Sequence, residues 1–454
     1  PVALVQAEPA AMAARPVGSM QPAARPVGSM QPAAFEGSPE VLKVPVAPEP
    51  GADSTSVTLD VAIYATPNGG RRPAVVLAHG FGGSRADLDG AARDLAGRGY
   101  VAVAYTARGF GASGGRIHLM DPQVEGQDIR RIVDLLATRP DVQLDAPGDP
   151  RVGMAGGSYG GAATLIAGGL DPRLDALAAA ITWNDLANTF FPDYAAPNLA
   201  ADALAPGGGA GSDPAAPGPF KRRWASHFFV SALAAAPPSQ AGPTATCGRF
   251  EATICGLFLA AAQSGKPSER LVAELHRRSP AVTNARIVAP TLLLQGMNDS
   301  LFPLDQAGAN ARQIAAAGAP VAVRWMEGGH DGGAATGAED AANTGATQPY
   351  LAWFDTYLRG DGTAEQRRAR PMPEPGFVYS APAYARGAPD RRVSFPAYPG
   401  LPSRASGPGD GPVAGTGPVT PSMLTVPFTN RDQRAMLISP PGGDPAGTSN
   451  VPGS

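Results

Sequence analysis

Residues 151–161 read RVGMAGGSYGG, and this stretch carries the chain's clearest chemistry. A short apolar strand (Val152, Met154, Ala155) runs into Gly156-Gly157-Ser158-Tyr159-Gly160, and a helix of small residues follows to about Gly168. That is the G-x-S-x-G nucleophile elbow in strand, turn and helix context. The turn is so tight that side chains two before and two after the serine would collide, so both positions are glycine. It lifts the serine hydroxyl above the sheet edge and leaves helix N–H groups near a developing oxyanion. The implied chemistry is acyl transfer through Ser158.

With glycine at 57 of 454 positions the motif can also arise by chance, and a second match occurs at Gly111-Ala112-Ser113-Gly114-Gly115. Its preceding strand (101–105) ends too early, and RIHLMDP follows it rather than a small-residue helix. Ser113 is therefore read as a loop residue.

A serine nucleophile needs a base and an orienting acid, here expected in the order Ser, acid, His. TLLLQGMNDSLFP places Asp299 just past the C-terminal end of a strand, and VRWMEGGHDGG places His330 just past the next. Ligand chemistry in open α/β sheets sits at that edge. Asp305 and Asp331 are the fallback acids. Asp299 could alternatively cap the helix that begins near Pro303. Of the other histidines, His79 falls in a strand-end HG turn and is expected to shape the oxyanion loop. His118 is expected near the pocket mouth, and His227 and His276 are expected as structural or surface groups. Two N–H donors are needed for the oxyanion. Tyr159 N–H is one, and Phe81 N–H, in HGFGG, is the best candidate for the other.

These residues need a scaffold, and the pattern supplies one. VTLDVAIYATP (57–67) alternates as an early antiparallel strand. PAVVLAHG (73–80), GYVAVAY (99–105), LDALAAAITW (174–183), TLLLQG (291–296) and VAVRWM (321–326) read as strands. Helical spacing marks residues 87–97, 122–138, 303–317 and 350–358. Alternating strand and helix implies an α/β fold with a mostly parallel sheet and helices on both faces. The core is read over residues 51–183 and 289–360. Residues 184–288 form an aromatic-rich cap or lid insert. Residues 1–50 are a Pro/Ala-rich linker holding the tandem decapeptide AARPVGSMQP (13–22, 23–32). Residues 361–454 are Pro/Gly-rich with short β-like runs at 376–380, 391–395, 422–428 and 434–439, read as a partial β-type region or as extended segments packed on the core.

The formal charge of −3 gives no footing for nucleic acid, and no run of eighteen apolar residues could span a membrane. Cys247 and Cys255 are the only cysteines. With no His or third Cys nearby they make no metal site. A short-loop disulfide is the preferred reading, and two buried free thiols the alternative. The N-terminal PVALVQAEPAAMA, with no initiator Met and no basic n-region, is read either as a mature end after leader removal or as an arbitrary boundary of the sequence. Together these point to a secreted or cell-envelope protein, with a cytoplasmic one as the alternative.

HGFGG (79–83), ARGFGASGG (107–115), EGQDIRRIVDLL (125–136), GGSYGG (156–161), PTLLLQGMNDSLFP (290–303) and GGHDGG (328–333) appear in an order that resembles the CocE/NonD-type α/β-hydrolases. That group includes cocaine esterase, serine X-Pro dipeptidyl-peptidases and α-amino-acid ester hydrolases. The resemblance covers about residues 57–360. It implies an α/β-hydrolase fold, a helical cap at 184–288, a C-terminal jelly-roll, and a triad at Ser158, Asp299 and His330. Two features depart from it. The C-terminal region is short for a jelly-roll. Cocaine-esterase-like members also place a tyrosine hydroxyl in the oxyanion hole, where Phe81 offers only its backbone.

The leading reading is a serine hydrolase of carboxylic esters or amides, taking small-molecule or peptide substrates with no cofactor or metal. An X-Pro dipeptidyl-peptidase or other aminopeptidase is the alternative. It would need a carboxylate for the substrate's ammonium, with Asp185 and Asp193 as candidates. A non-catalytic α/β-hydrolase-fold binding protein is the alternative from a different class.

Overall fold

The computed structural model describes residues 35–51, 56–67, 70–192, 220–234, 247–331, 348–373, 375–381 and 391–401. The tandem decapeptide, the loop at 206–219, Asp193, and the runs at 422–428 and 434–439 lie outside them.

One large sheet organises the chain. Its strands are β1 (Glu40–Val46), β2 (Val57–Tyr64), β3 (Ala74–Ala78), β4 (Val101–Thr106), β7 (Val152–Gly157), β8 (Leu174–Ala180), β9 (Thr291–Gly296), β10 (Val321–Met326), β11 (Phe377–Ala381) and β12 (Arg391–Phe395). β5 (Leu144–Ala146) and β6 (Asp149–Pro150) form a separate hairpin. The order in the large sheet is β1-β2-β4-β3-β7-β8-β9-β10-β11-β12. From β4 to β11 the neighbours run parallel, while β1, β2 and β12 pair antiparallel at the two ends. The central strands are buried along their whole length, as AVVLA in β3 and VAVAYT in β4 require of a sheet covered on both faces.

The covering helices are α1 (Asp89–Gly97), α2 (Glu125–Ala137), α3 (Tyr159–Leu170), α8 (Leu304–Ala316) and α9 (Gln348–Leu358). In α2, Ile129, Ile132, Val133 and Leu136 recur at helical spacing and are buried, the face that docks on the sheet. α3 is buried nearly all round, which YGGAATLIAGGL allows because its side chains are small. Between β8 and β9 stand α4 (Leu186–Phe190), α5 (Arg222–Ala234), α6 (Ala252–Ser264) and α7 (Glu269–Arg277), within the insert read as a cap. No described helix is long and apolar enough to cross a membrane.

One boundary differs from the sequence reading, and one open alternative is decided. Residues 40–46, expected within the linker, form β1 and pair along their whole length with β2. Pro45 hides this strand in the sequence, but proline is tolerated at a sheet edge, where one row of N–H groups has no partner. At the other end, 376–381 and 391–395 do not open a separate β layer. β11 adds parallel to β10 and β12 turns back on it, so both extend the main sheet. The short helix α10 (Ala364–Arg368) also belongs to the core. Its Arg367 is fully buried and ion-pairs with Asp145 and Asp175.

Candidate active site

The elbow is built by close approach. A Cβ on Gly156 would stand 2.4 Å from Gly160 O, and one on Gly160 would stand 2.1 Å from Ala78 O. Neither atom can move away, because both are backbone in the packed core, so glycine is required at each position. Between them Ser158 adopts φ 53° and ψ −115°, a conformation that L-residues rarely hold. Its own N–H is anchored to Ala180 O at 2.9 Å, and its carbonyl accepts from the Thr182 hydroxyl at 2.8 Å. The turn therefore cannot relax, and the hydroxyl is presented at the C-terminal edge of the sheet.

Asp299 follows β9 and His330 follows β10, and the parallel pairing of these strands brings both loops to the same edge. Asp299 Oδ1 accepts the N–H groups of Leu301 (3.0 Å) and Phe302 (2.8 Å), which fixes the carboxylate. Its Oδ2 accepts from His330 Nδ1 at 2.7 Å. With the proton held on Nδ1, Nε2 is left as an acceptor, and the Ser158 hydroxyl donates to it at 2.8 Å. Phe302 packs its ring against the His330 imidazole at right angles, with centroids 5.0 Å apart. The His330 and Asp299 side chains are 5% and 0% exposed, so little water competes for these bonds. The arrangement can pass a proton from a serine hydroxyl to imidazole while a carboxylate holds the tautomer.

The other candidates fall elsewhere. Ser113 is buried, donates to Thr106 O at 2.7 Å and accepts from Asp60 N–H at 2.8 Å, a structural hydroxyl between loop and strand. Asp305 accepts from the Gln306 side chain in the first turn of α8, and Asp331 accepts from Ser300. His79 Nε2 accepts from Ala107 N–H at 2.9 Å, so its Nδ1 donates to Gly80 O at 2.7 Å. Burial lowers its pKa, and the neutral ring pins the turn that leads into Phe81. His118 pairs with Glu49 and His276 with Asp185.

Phe81 and Tyr159 stand side by side, with ring centroids 5.6 Å apart. Among the described residues no acceptor takes the N–H of either. Two uncommitted amides at the mouth of the elbow are what an oxyanion hole needs.

The insert reaches the site directly, which the sequence did not reveal. Lys221 Nζ donates to Ser300 O (2.7 Å) and Leu301 O (2.9 Å), and Trp224 Nε1 to Ser300 Oγ (3.1 Å). Partial burial lowers the Lys221 pKa. The Trp224 ring lies 6.0 Å from that of His330, and Phe228, one turn along α5, lies 5.0 Å from Phe81. A wall of aromatic rings thus runs from the base to the oxyanion loop. Cys247 and Cys255 are joined in a disulfide at the start of α6.

Asp185 was a candidate ammonium ligand, but its carboxylate is already engaged. It caps α4 through Asn188 N–H at 2.9 Å and binds His276 Nδ1.

The sequence profile of the X-Pro dipeptidyl-peptidase (S15) family matches residues 53–330. No curated protein sequence matches the chain. Among solved structures it is similar to a CocE/NonD family hydrolase from Staphylococcus aureus, at 15% identity and a TM-score of 0.50, covering 80% of this chain and 56% of that one. It is also similar to Pyrococcus horikoshii acylaminoacyl peptidase, at 16% identity and a TM-score of 0.43, covering 73% and 44%. A third likeness is to acetyl xylan esterase from Paenibacillus sp. R4, at 18% identity and a TM-score of 0.40, covering 69% and 87%. The chain spans about half the length of the first two. The fold is that of the α/β-hydrolases.

Proposed function

Since the chain belongs to the X-Pro dipeptidyl-peptidase (S15) family, we propose that it is a serine hydrolase of carboxylic esters or amides. One observation carries this reading, the unbroken hydrogen-bonded line from Ser158 Oγ through His330 to Asp299. Ser158 Oγ attacks the acyl carbonyl carbon as His330 Nε2 takes its proton. Asp299 holds Nδ1–H and stabilises the imidazolium. The Tyr159 and Phe81 N–H groups receive the oxyanion. His330 then protonates the leaving alcohol or amine, and the acyl group stays on Ser158. Water, activated by the same imidazole, releases the acid.

The aromatic wall of Trp224, Phe228 and Phe81 favours an apolar acyl group, since burying such surface against it is favourable at about 25 cal/mol per Å². Asp185, engaged by α4 and His276, gives no support as an ammonium ligand to the X-Pro or other aminopeptidase reading, and Asp193 lies outside the described residues. The Cys247–Cys255 disulfide supports a secreted or cell-envelope setting.

A fluorophosphonate probe tests the reading. The folded protein is expected to be labelled on Ser158, located by peptide mass spectrometry. Absence of labelling there would return the chain to the binding-protein reading.

A further inference from the structure

Leu119 and Met120 form a strained bend beside the site. Both lie in the left-handed region, at φ 56° and 62°. There the Cβ crowds the following carbonyl, and neither residue is glycine, so surrounding contacts must hold them.

Those contacts come from two sides. From the core, Glu125 Oε1 accepts His118 N–H at 2.7 Å and Glu125 Oε2 accepts Asp121 N–H at 3.0 Å, bracketing the bend. Met120 N–H donates to the Tyr159 hydroxyl oxygen at 3.1 Å, and that hydroxyl donates to Glu125 Oε1 at 3.4 Å. From the insert, Ile117 N–H donates to Arg249 O and Glu251 N–H to Ile117 O. Arg278 Nε donates to His118 O at 2.6 Å, and Arg277 pairs with Asp121. The bend is a joint between the insert and the core, and its inner end is the Tyr159 hydroxyl.

Tyr159 therefore has two tasks. Its N–H is the oxyanion donor next to the nucleophile, and its hydroxyl closes a buried polar network one side chain away. An oxyanion donor works only within about 2.7–3.1 Å of the developing charge, so small movements of this residue matter. Glu125 is an awkward choice if stability were its only role. It is buried, and burial lifts its carboxyl to about 7.

We propose that Glu125 is a positioning residue of the oxyanion hole. Acting through the Tyr159 hydroxyl, and by holding the strained bend whose Met120 amide meets that hydroxyl, it fixes the aim of Tyr159 N–H. The proposal rests on the hydrolase reading of Ser158.

The test compares Tyr159→Phe, Glu125→Leu, which removes the acceptor, and the double variant on a nitrophenyl ester, with rates divided by the number of sites the fluorophosphonate titrates. Each single variant is expected to lower kcat by about tenfold with KM changed less than about twofold, because oxyanion stabilisation acts in the transition state. The double variant is expected to lose no more than the larger single effect, since both changes break one linkage. Wild-type kcat per titrated site in Tyr159→Phe, with only melting temperature or titratable fraction reduced, would overturn the proposal. So would effects that add in the double variant. If one variant does not fold, kcat per site in the other decides. A wild-type protein that the probe does not label would contradict the hydrolase reading itself, a distinct result.

Discussion

Ser300 and Asp331 are joined twice. The Ser300 amide donates to Asp331 Oδ2 at 2.6 Å, and its hydroxyl donates to Asp331 Oδ1 at 2.8 Å. These residues immediately follow Asp299 and His330, so the pair clips the loop after β9 to the loop after β10. Lys221 and Trp224 bind the same serine from the insert. The short Asp299–His330 contact is thus held by the loops themselves and by α5.

Asp331 was a fallback acid in the sequence, and its geometry assigns it a different job. Asp331→Ala removes the clip and leaves the Asp299–His330 bond in place. Its kcat is expected to fall by no more than about tenfold, whereas Asp299→Asn, which removes the carboxylate from the imidazole, is expected to cost about 10⁴-fold. Steady-state kinetics on one ester compares the two. A larger loss in Asp331→Ala than in Asp299→Asn would reverse the assignment.

Much of the frame was legible before folding. β3, β7 and β9 are apolar runs closed by glycine, a pattern with few alternatives in an α/β chain. Ser158, Asp299 and His330 could be read because each stands just past such a strand. Ser113 could be set aside for the converse reason. β1 is hidden by Pro45, and the sequence leaves open whether β11 begins another layer or packs on the core. Its pairing with β10 joins residues far apart in sequence, which no local pattern records. Glu125, Lys221 and Ser300 were invisible for a related reason. A glutamate early in an amphipathic helix looks like an ordinary first-turn acid, and only the fold brings Tyr159 to it.

Glu125 also makes a pH-dependent prediction. Burial raises its pKa to about 7, with His118 opposing and Asp128 reinforcing the shift. The carboxyl is protonated in the folded state at pH values where the unfolded chain has already lost that proton. The stability it contributes is therefore fully present below the unfolded value near 4.5 and is lost as pH rises through about 7. Melting temperatures of wild type and Glu125→Gln, measured from pH 4.5 to 8, are expected to shift in favour of the variant until about pH 7 and then run parallel. A constant difference across the range would contradict the buried titration.

The Cys247–Cys255 disulfide closes a short loop, with a sequence separation of 8. Within it, residues 249–251 pair with Ile117 and Phe250 stacks on Phe81, with centroids 5.8 Å apart. The crosslink is worth about 2–3 kcal/mol by loop entropy. Cys247→Ser with Cys255→Ser is expected to speed hydrogen exchange at the Ile117 and Glu251 amides before the β3 and β7 amides respond. Unchanged exchange at both amides would show that the insert docks without it.

The central claim is that Ser158, and not its motif twin Ser113, is the nucleophile. Turnover of an activated nitrophenyl ester by the folded Ser158→Ala and Ser113→Ala variants tests it most directly. Ser158→Ala is expected to lose roughly three or more orders of magnitude in kcat with its fold intact. Ser113→Ala is expected to lose stability, because Asp60 N–H and Thr106 O lose their shared partner, while keeping kcat near that of wild type. Near-wild-type turnover in Ser158→Ala, or abolished turnover in a folded Ser113→Ala, would contradict the account.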